Sequence, residues 1–229
     1  MITITTQDTT AIKALTGLNM KGENTMNTTD FAGMTLKALK ALTGLNMARG
    51  NRKLDKSILI FSLPAVITCP NCAQCARACY ARKAERIYPQ VLPARKRNLA
   101  ASAMSWFVPA MIQFIKRTRA RIVRIHESGD FYCQAYADKW SQIIAACPEV
   151  QFYGYTKSPF RPAPAPNLNI VESILPDGRV NFGKPCDIDA IHSETGFPIC
   201  PATVPGNNVT CGRSCTLCQI TPNVLFYAH

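Results

Sequence analysis

Four cysteines, Cys69, Cys72, Cys75 and Cys79, fall within eleven residues at C-x2-C-x2-C-x3-C spacing. Thiols this densely placed constrain the chain to build a loop around a soft metal centre. Short spacers let neighbouring sulfurs converge on zinc or on an iron–sulfur cluster. The spacing matches the bacterial ferredoxin run, but Tyr80 stands where that run has proline, which argues against a plain ferredoxin. A second group, Cys200, Cys211, Cys215 and Cys218 together with His229, offers four or five further ligands. It suits a closed site pinning the tail, zinc held by four thiolates or by three thiolates and an imidazole, with an auxiliary iron–sulfur cluster as the competitor.

Reading cysteines as ligands depends on the compartment. The segment MITITTQDTTAIKAL lacks the basic flank, continuous apolar block and small-residue cleavage site of a secretory signal, so a cytoplasmic protein is expected. There thiols stay reduced, and an odd count of 11 cysteines favours ligands or reactive thiols over a disulfide framework. Cys133, Cys147 and Cys186 sit alone and read as ordinary small residues. The longest apolar stretch, Ile58 to Ile67, is broken by Ser62 and Pro64, well short of the roughly 20 residues a membrane span needs. No membrane partner is expected.

The formal net charge is +12. Arg82, Lys83, Arg86, Arg95, Lys96, Arg97, Lys116, Arg117, Arg119, Arg121 and Arg124 face only Glu85 across the same stretch. That imbalance points to a polyanionic partner, a nucleic acid or nucleotide substrate, although a solvated face of two helices would look the same.

The 47% apolar content of the 229 residues is enough for a core. The octapeptide KALTGLNM occurs at 13–20 and again at 40–47, where Leu36, Leu39, Leu42 and Leu45 suggest an amphipathic helix docking on the main body. Residues 1–50 are expected to form an N-terminal extension, 51–185 an α/β core with the first cysteine cluster, and 186–229 a loop-rich metal-binding appendage. Within the core, 57–63 reads as a buried strand, 98–119 as a helix kinked or divided by Pro109, and 120–126 as a second strand. A helix over 135–146 and a strand over 150–155 follow, with weaker strands at 168–174 and 179–182. Strand, helix, strand is the βαβ signature. It places 69–79, Glu127 to Asp130 and 156–158 beyond the carboxyl ends of successive strands, the edge where parallel α/β barrels assemble active sites. His126, closing the second strand, reads either as a proton-exchanging residue at that edge or as a core histidine. His192 reads as a surface residue.

The segments FSLPAVITCP (61–70) and CYA (79–81) resemble the phage gene product 88 family, as do RIHESGDF (124–131), FYGYTKS (152–158) and the closing segment from Cys211. The resemblance covers about residues 50–229. It implies that Cys69, Cys75 and Cys79 are the family's cysteines, with Cys72 an extra. Three cysteines after a first strand, the last followed by an aromatic, are also similar to the radical S-adenosylmethionine superfamily. That likeness implies a partial (β/α) barrel, a 4Fe-4S cluster on Cys69, Cys75 and Cys79, and S-adenosylmethionine held by Ser128, Gly129 and Asp130. Tyr155 and Lys157 would line the pocket, and an external electron donor would be needed. Two rival expectations stand beside it. One is a zinc-containing, transglycosylase-like barrel with Asp130 as catalytic carboxylate. The other is a non-catalytic phage protein whose metals stiffen a basic surface for nucleic acid or a host factor.

Overall fold

The computed structural model describes residues 31–72, 76–77, 79–175 and 177–228. The first copy of the octapeptide, Cys75 and His229 lie outside the described residues. In chain order, α1 (Leu36–Thr43), β1 (Met47–Arg49) and β2 (Ile58–Phe61) come first. Next are α2 (Tyr80–Ile87), α3 (Val91–Ala103) and α4 (Phe107–Thr118), then β3 (Ile122–Ile125), α5 (Gln134–Ala145), β4 (Gln151–Thr156) and β5 (Leu168–Glu172). The chain continues through β6 (Phe182–Gly183), α6 (Pro185–Thr195), α7 (Leu217–Ile220) and β7 (Phe226–Tyr227).

Five strands form one sheet in the order β1-β2-β3-β4-β5. β2 to β5 are parallel, and β1 pairs antiparallel with β2, Met47 opposite Phe61. Strands joined by long crossovers yet neighbouring in chain order are how successive β/α units assemble. The pleat sorts the side chains. Leu59, Phe61, Val123, Ile125 and Phe152 turn to one face and enter the main core with Leu99, Phe107, Phe114, Tyr136 and Trp140 of the helices. Ile58, Ile60 and Tyr153 turn to the other face, joined there by Ile122 and Tyr155. That second face is covered by the C-terminal segment, whose Cys211 and Cys218 pack on it.

Residues 31–50, expected as part of an extension, contribute to the core itself. Thr35 caps α1, its hydroxyl accepting from the Ala38 N–H at 3.2 Å, and Gly44 ends the helix in the left-handed region at φ 67°. The turn brings Leu45 and Met47 inward beside Phe31 and Leu39, all buried in the main cluster. The helix expected over 98–119 is two helices. The chain leaves helical geometry at Met104 (ψ 151°) and restarts at Phe107, which puts Pro109 in a first turn where its missing N–H is harmless. The segment over 186–229, expected to be loop-rich, also holds most of α6, an 11-residue helix with Pro185 in its first turn and Ile188 and Ile191 buried. Two apolar contacts in a polar helix are too sparse to register as a pattern.

Candidate functional site

The carboxyl edge of the sheet is stitched from three loops. Leu63 N–H, just past β2, donates to Ser128 O at 2.8 Å. Asn71, inside the first cysteine loop, donates from Nδ2 to Lys157 O at 2.7 Å. Asp130 joins the second loop to the third, its Oδ1 accepting from Thr156 Oγ1 at 2.6 Å and Phe131 N at 2.8 Å, its Oδ2 from Lys157 N at 2.9 Å. A carboxylate has about four acceptor positions, so one is left. Burial pushes the Asp130 pKa up, and these three hydrogen bonds oppose the rise. Gly129 is required here. At φ +83° it sits where an added Cβ would stand 2.6 Å from both Leu63 Cβ and Thr68 Oγ1. Ser128 is buried, and its hydroxyl finds no hydrogen-bond partner among the described residues.

The expected edge residues therefore meet: the first cysteine loop, Ser128, Gly129, Asp130 and Lys157 form one bonded unit. Cys72 in that loop is buried, while Cys69 and Cys79 are partly exposed. Tyr80, opening α2 directly after Cys79, donates from its hydroxyl to Glu127 O at 2.5 Å. Glu85 of α2 accepts from Ala65 N–H at 2.8 Å and from Arg95 at 2.9 Å, tying the loop to α3. Arg95 is thus a buried ion-pair partner and not part of a basic surface.

His126 takes the core alternative. Its φ of +61° breaks the strand alternation and turns the ring to the helix side. There Nε2 lies 2.8 Å from the Tyr136 hydroxyl, and the ring packs on Phe131 with centroids 4.7 Å apart. Burial lowers its pKa to about 3, so it is neutral near pH 7. It lies in the main core and not among the bonded edge residues.

The other candidate cluster is on the second face. Cys200, Cys211, Cys215 and Cys218 line one pocket together with Tyr153 and Tyr155. Gly212 permits the approach, since a Cβ there would come within 2.6 Å of Ile58 Cδ1. Cys200 and Cys218 share a hydrogen bond, which lowers the pKa of one thiol of the pair, Cys200, and raises that of the other. Among the described residues no three His, Cys, Asp or Glu side chains already stand as a metal-holding group. The donor chemistry nonetheless fits a thiophilic metal, with four soft sulfurs facing a common pocket and one of them readily ionised.

Arg124 is the residue that sequence reasoning missed as an individual, having counted it in the basic run. It lies at the middle of the sheet, opposite Ile60 on β2 and Tyr153 on β4, with its guanidinium carbon 4.9 Å above the Tyr155 ring. The alternation Ile122, Val123, Arg124, Ile125 was the available signal: with Val123 and Ile125 inward on the helix side, Arg124 must face the other way.

Residues 36–177 match the model of a family described as Gene product 88, which is more than half of the chain. The chain belongs to the gene product 88 family. Two members similar to it are gene 88 proteins of mycobacteriophages. That of phage L5 is 30% identical, the match covering 39% of this chain and 43% of that protein; that of phage D29 is 28% identical, covering 39% and 42%. The chain thus spans less than half the length of these curated relatives. The family match takes in the first cysteine loop and the 124–131 and 152–158 segments but stops before the second cysteine group. No solved structure matches the chain. Among the described residues no helix is long and apolar enough to cross a membrane.

Proposed function

We propose that this gene product 88 protein is an iron–sulfur enzyme of the radical S-adenosylmethionine type, built on a partial (β/α) barrel and acting on a nucleic acid or nucleotide. One observation carries the reading. The first cysteine loop, the Ser128-Gly129-Asp130 turn and Lys157 follow three consecutive parallel strands and are hydrogen-bonded into one edge. Carboxyl edges of parallel sheets are where α/β proteins place their chemistry.

Cys69, Cys75 and Cys79 would hold a 4Fe-4S cluster, with Cys72 as an additional thiol nearby. When bound, such a cluster supplies the electron that cleaves S-adenosylmethionine reductively, fed by an external donor. The chain's own residues bind and orient. Gly129 lets the turn pack directly against Leu63 and Thr68, which holds Asp130 in place, and the last acceptor position of Asp130 suits an ammonium group. Cys200, Cys211, Cys215 and Cys218 would hold a second centre, zinc or iron–sulfur, that fastens the C-terminal segment over the sheet.

Protein purified without oxygen is expected to give a reduced electron paramagnetic resonance signal that S-adenosylmethionine perturbs, and to release 5′-deoxyadenosine on reduction. A colourless, zinc-only protein would overturn this reading. It would favour a zinc-containing barrel that exchanges bases in the manner of a transglycosylase, a second reading that draws on the four-cysteine pocket and on the buried carboxyl of Asp130.

A further inference from the structure

The second face of the sheet holds a cation that forms no ion pair among the described residues. Arg124 is partly buried, and its Nε is out of contact with solvent and, among the described residues, without a hydrogen-bond partner. A guanidinium keeps its charge wherever it is placed. The acid three residues on, Glu127, contributes to the field at Arg124 but makes no ion pair with it, its carboxylate accepting from Asn51 Nδ2. The surroundings are aromatic: the guanidinium lies over Tyr155, with Tyr80 and Tyr153 as further neighbours. Tyr80 also connects this face to the first cysteine loop through Glu127 O, and Tyr155 connects it to the four-cysteine pocket.

A planar cation with an idle donor, flanked by tyrosine rings and set between two thiol clusters, is shaped for an oxyanion joined to a flat ring. We infer that Arg124 anchors an oxyanion-binding subsite on the second face of the sheet, and that its ligand is the phosphate of a nucleotide or nucleic acid. The subsite deepens the proposed function by naming where the anionic part of the substrate docks, and it rests on that reading for the choice of phosphate over the carboxylate of an amino-acid-like cofactor. Binding itself needs no iron.

The test is calorimetric titration of the full chain as isolated with AMP, adenosine and S-adenosylmethionine, with metal content measured in parallel. AMP is expected to bind at least about tenfold more tightly than adenosine. Arg124→Gln should lose about tenfold or more in AMP affinity with metal content unchanged, and Arg124→Lys, which keeps the charge but not the planar fork, should fall between. A wild-type protein indifferent to AMP, or an Arg124→Gln variant that binds it unchanged, overturns the subsite. An effect confined to S-adenosylmethionine moves the site to a carboxylate and overturns the phosphate assignment. Loss of metal in both variants with AMP binding retained overturns it too, since Arg124 would then be neutralising thiolates. A zinc-only protein that still binds AMP through Arg124 would sink the radical reading and leave the subsite standing.

Discussion

Gly129 combines a left-handed backbone with two side-chain neighbours that leave no room for a methyl group. Gly129→Ala should therefore cost about 2–4 kcal/mol, backbone strain and overpacking together, measured by urea unfolding. A loss below about 0.5 kcal/mol would show that the loop can rearrange. His126 makes a prediction about pH. Its pKa is near 6.5 when unfolded and about 3 when folded, so between those values the unfolded chain binds the extra proton. Stability from this group is complete above about pH 6.5 and falls as pH drops, with a limiting slope of about 1.4 kcal/mol per pH unit. His126→Gln should flatten the stability profile between pH 6 and 4 relative to wild type, and parallel profiles would contradict the burial argument. At this scale the sequence was most informative where a motif was involved. Gly129 and Asp130 were legible from the Ser-Gly-Asp turn. Arg124 was hidden among Arg117, Arg119 and Arg121, because a charge count does not say which way a side chain points.

Strands were the most legible elements. β2, β3 and β4 are short apolar runs ending in polar turns, and their order followed from the alternation with helices. The helix over 36–45 was visible in its leucines, but its weight in the fold was not. Whether an amphipathic helix rests on a surface or enters a core depends on what it meets, and β1 is only three residues long. Leu39, fully buried against the main cluster, tests this directly. Leu39→Ala should destabilise the whole domain by about 2–5 kcal/mol in a single unfolding transition, as removal of a core leucine does. A change under about 1 kcal/mol, or a separate early transition, would return residues 31–50 to the status of an appendage.

For the molecule as a whole, the exposed members of the basic run are divided between two places. Arg82, Lys83 and Arg86 are exposed on α2, next to the first cysteine loop and the carboxyl edge. Lys116, Arg117, Arg119 and Arg121 are exposed where α4 runs into the start of β3, at the amino end of that strand. If nucleic acid approaches the carboxyl edge, reversing Arg82, Lys83 and Arg86 to Glu should weaken binding at least about tenfold and flatten its salt dependence, while reversing Lys116, Arg117 and Arg121 should do much less. Equal effects would indicate nonspecific attraction. Net charge was legible from composition, and its division was not, because only the fold sends the ends of α2 and α4 to different places. The second cysteine group was likewise legible, its four cysteines lining one pocket. The placement of the two groups, one at the edge and one on the face, needed the sheet between them.

Metal and acid-labile sulfide analysis of anaerobically purified wild type beside Cys79→Ala and Cys211→Ala addresses the central claim most directly. Two independent thiolate centres, the first of them iron–sulfur, predict iron and sulfide in the wild type that Cys79→Ala loses while the C-terminal metal stays. Cys211→Ala should show the converse. Iron and sulfide unchanged in Cys79→Ala, or absent from the wild type, would contradict it.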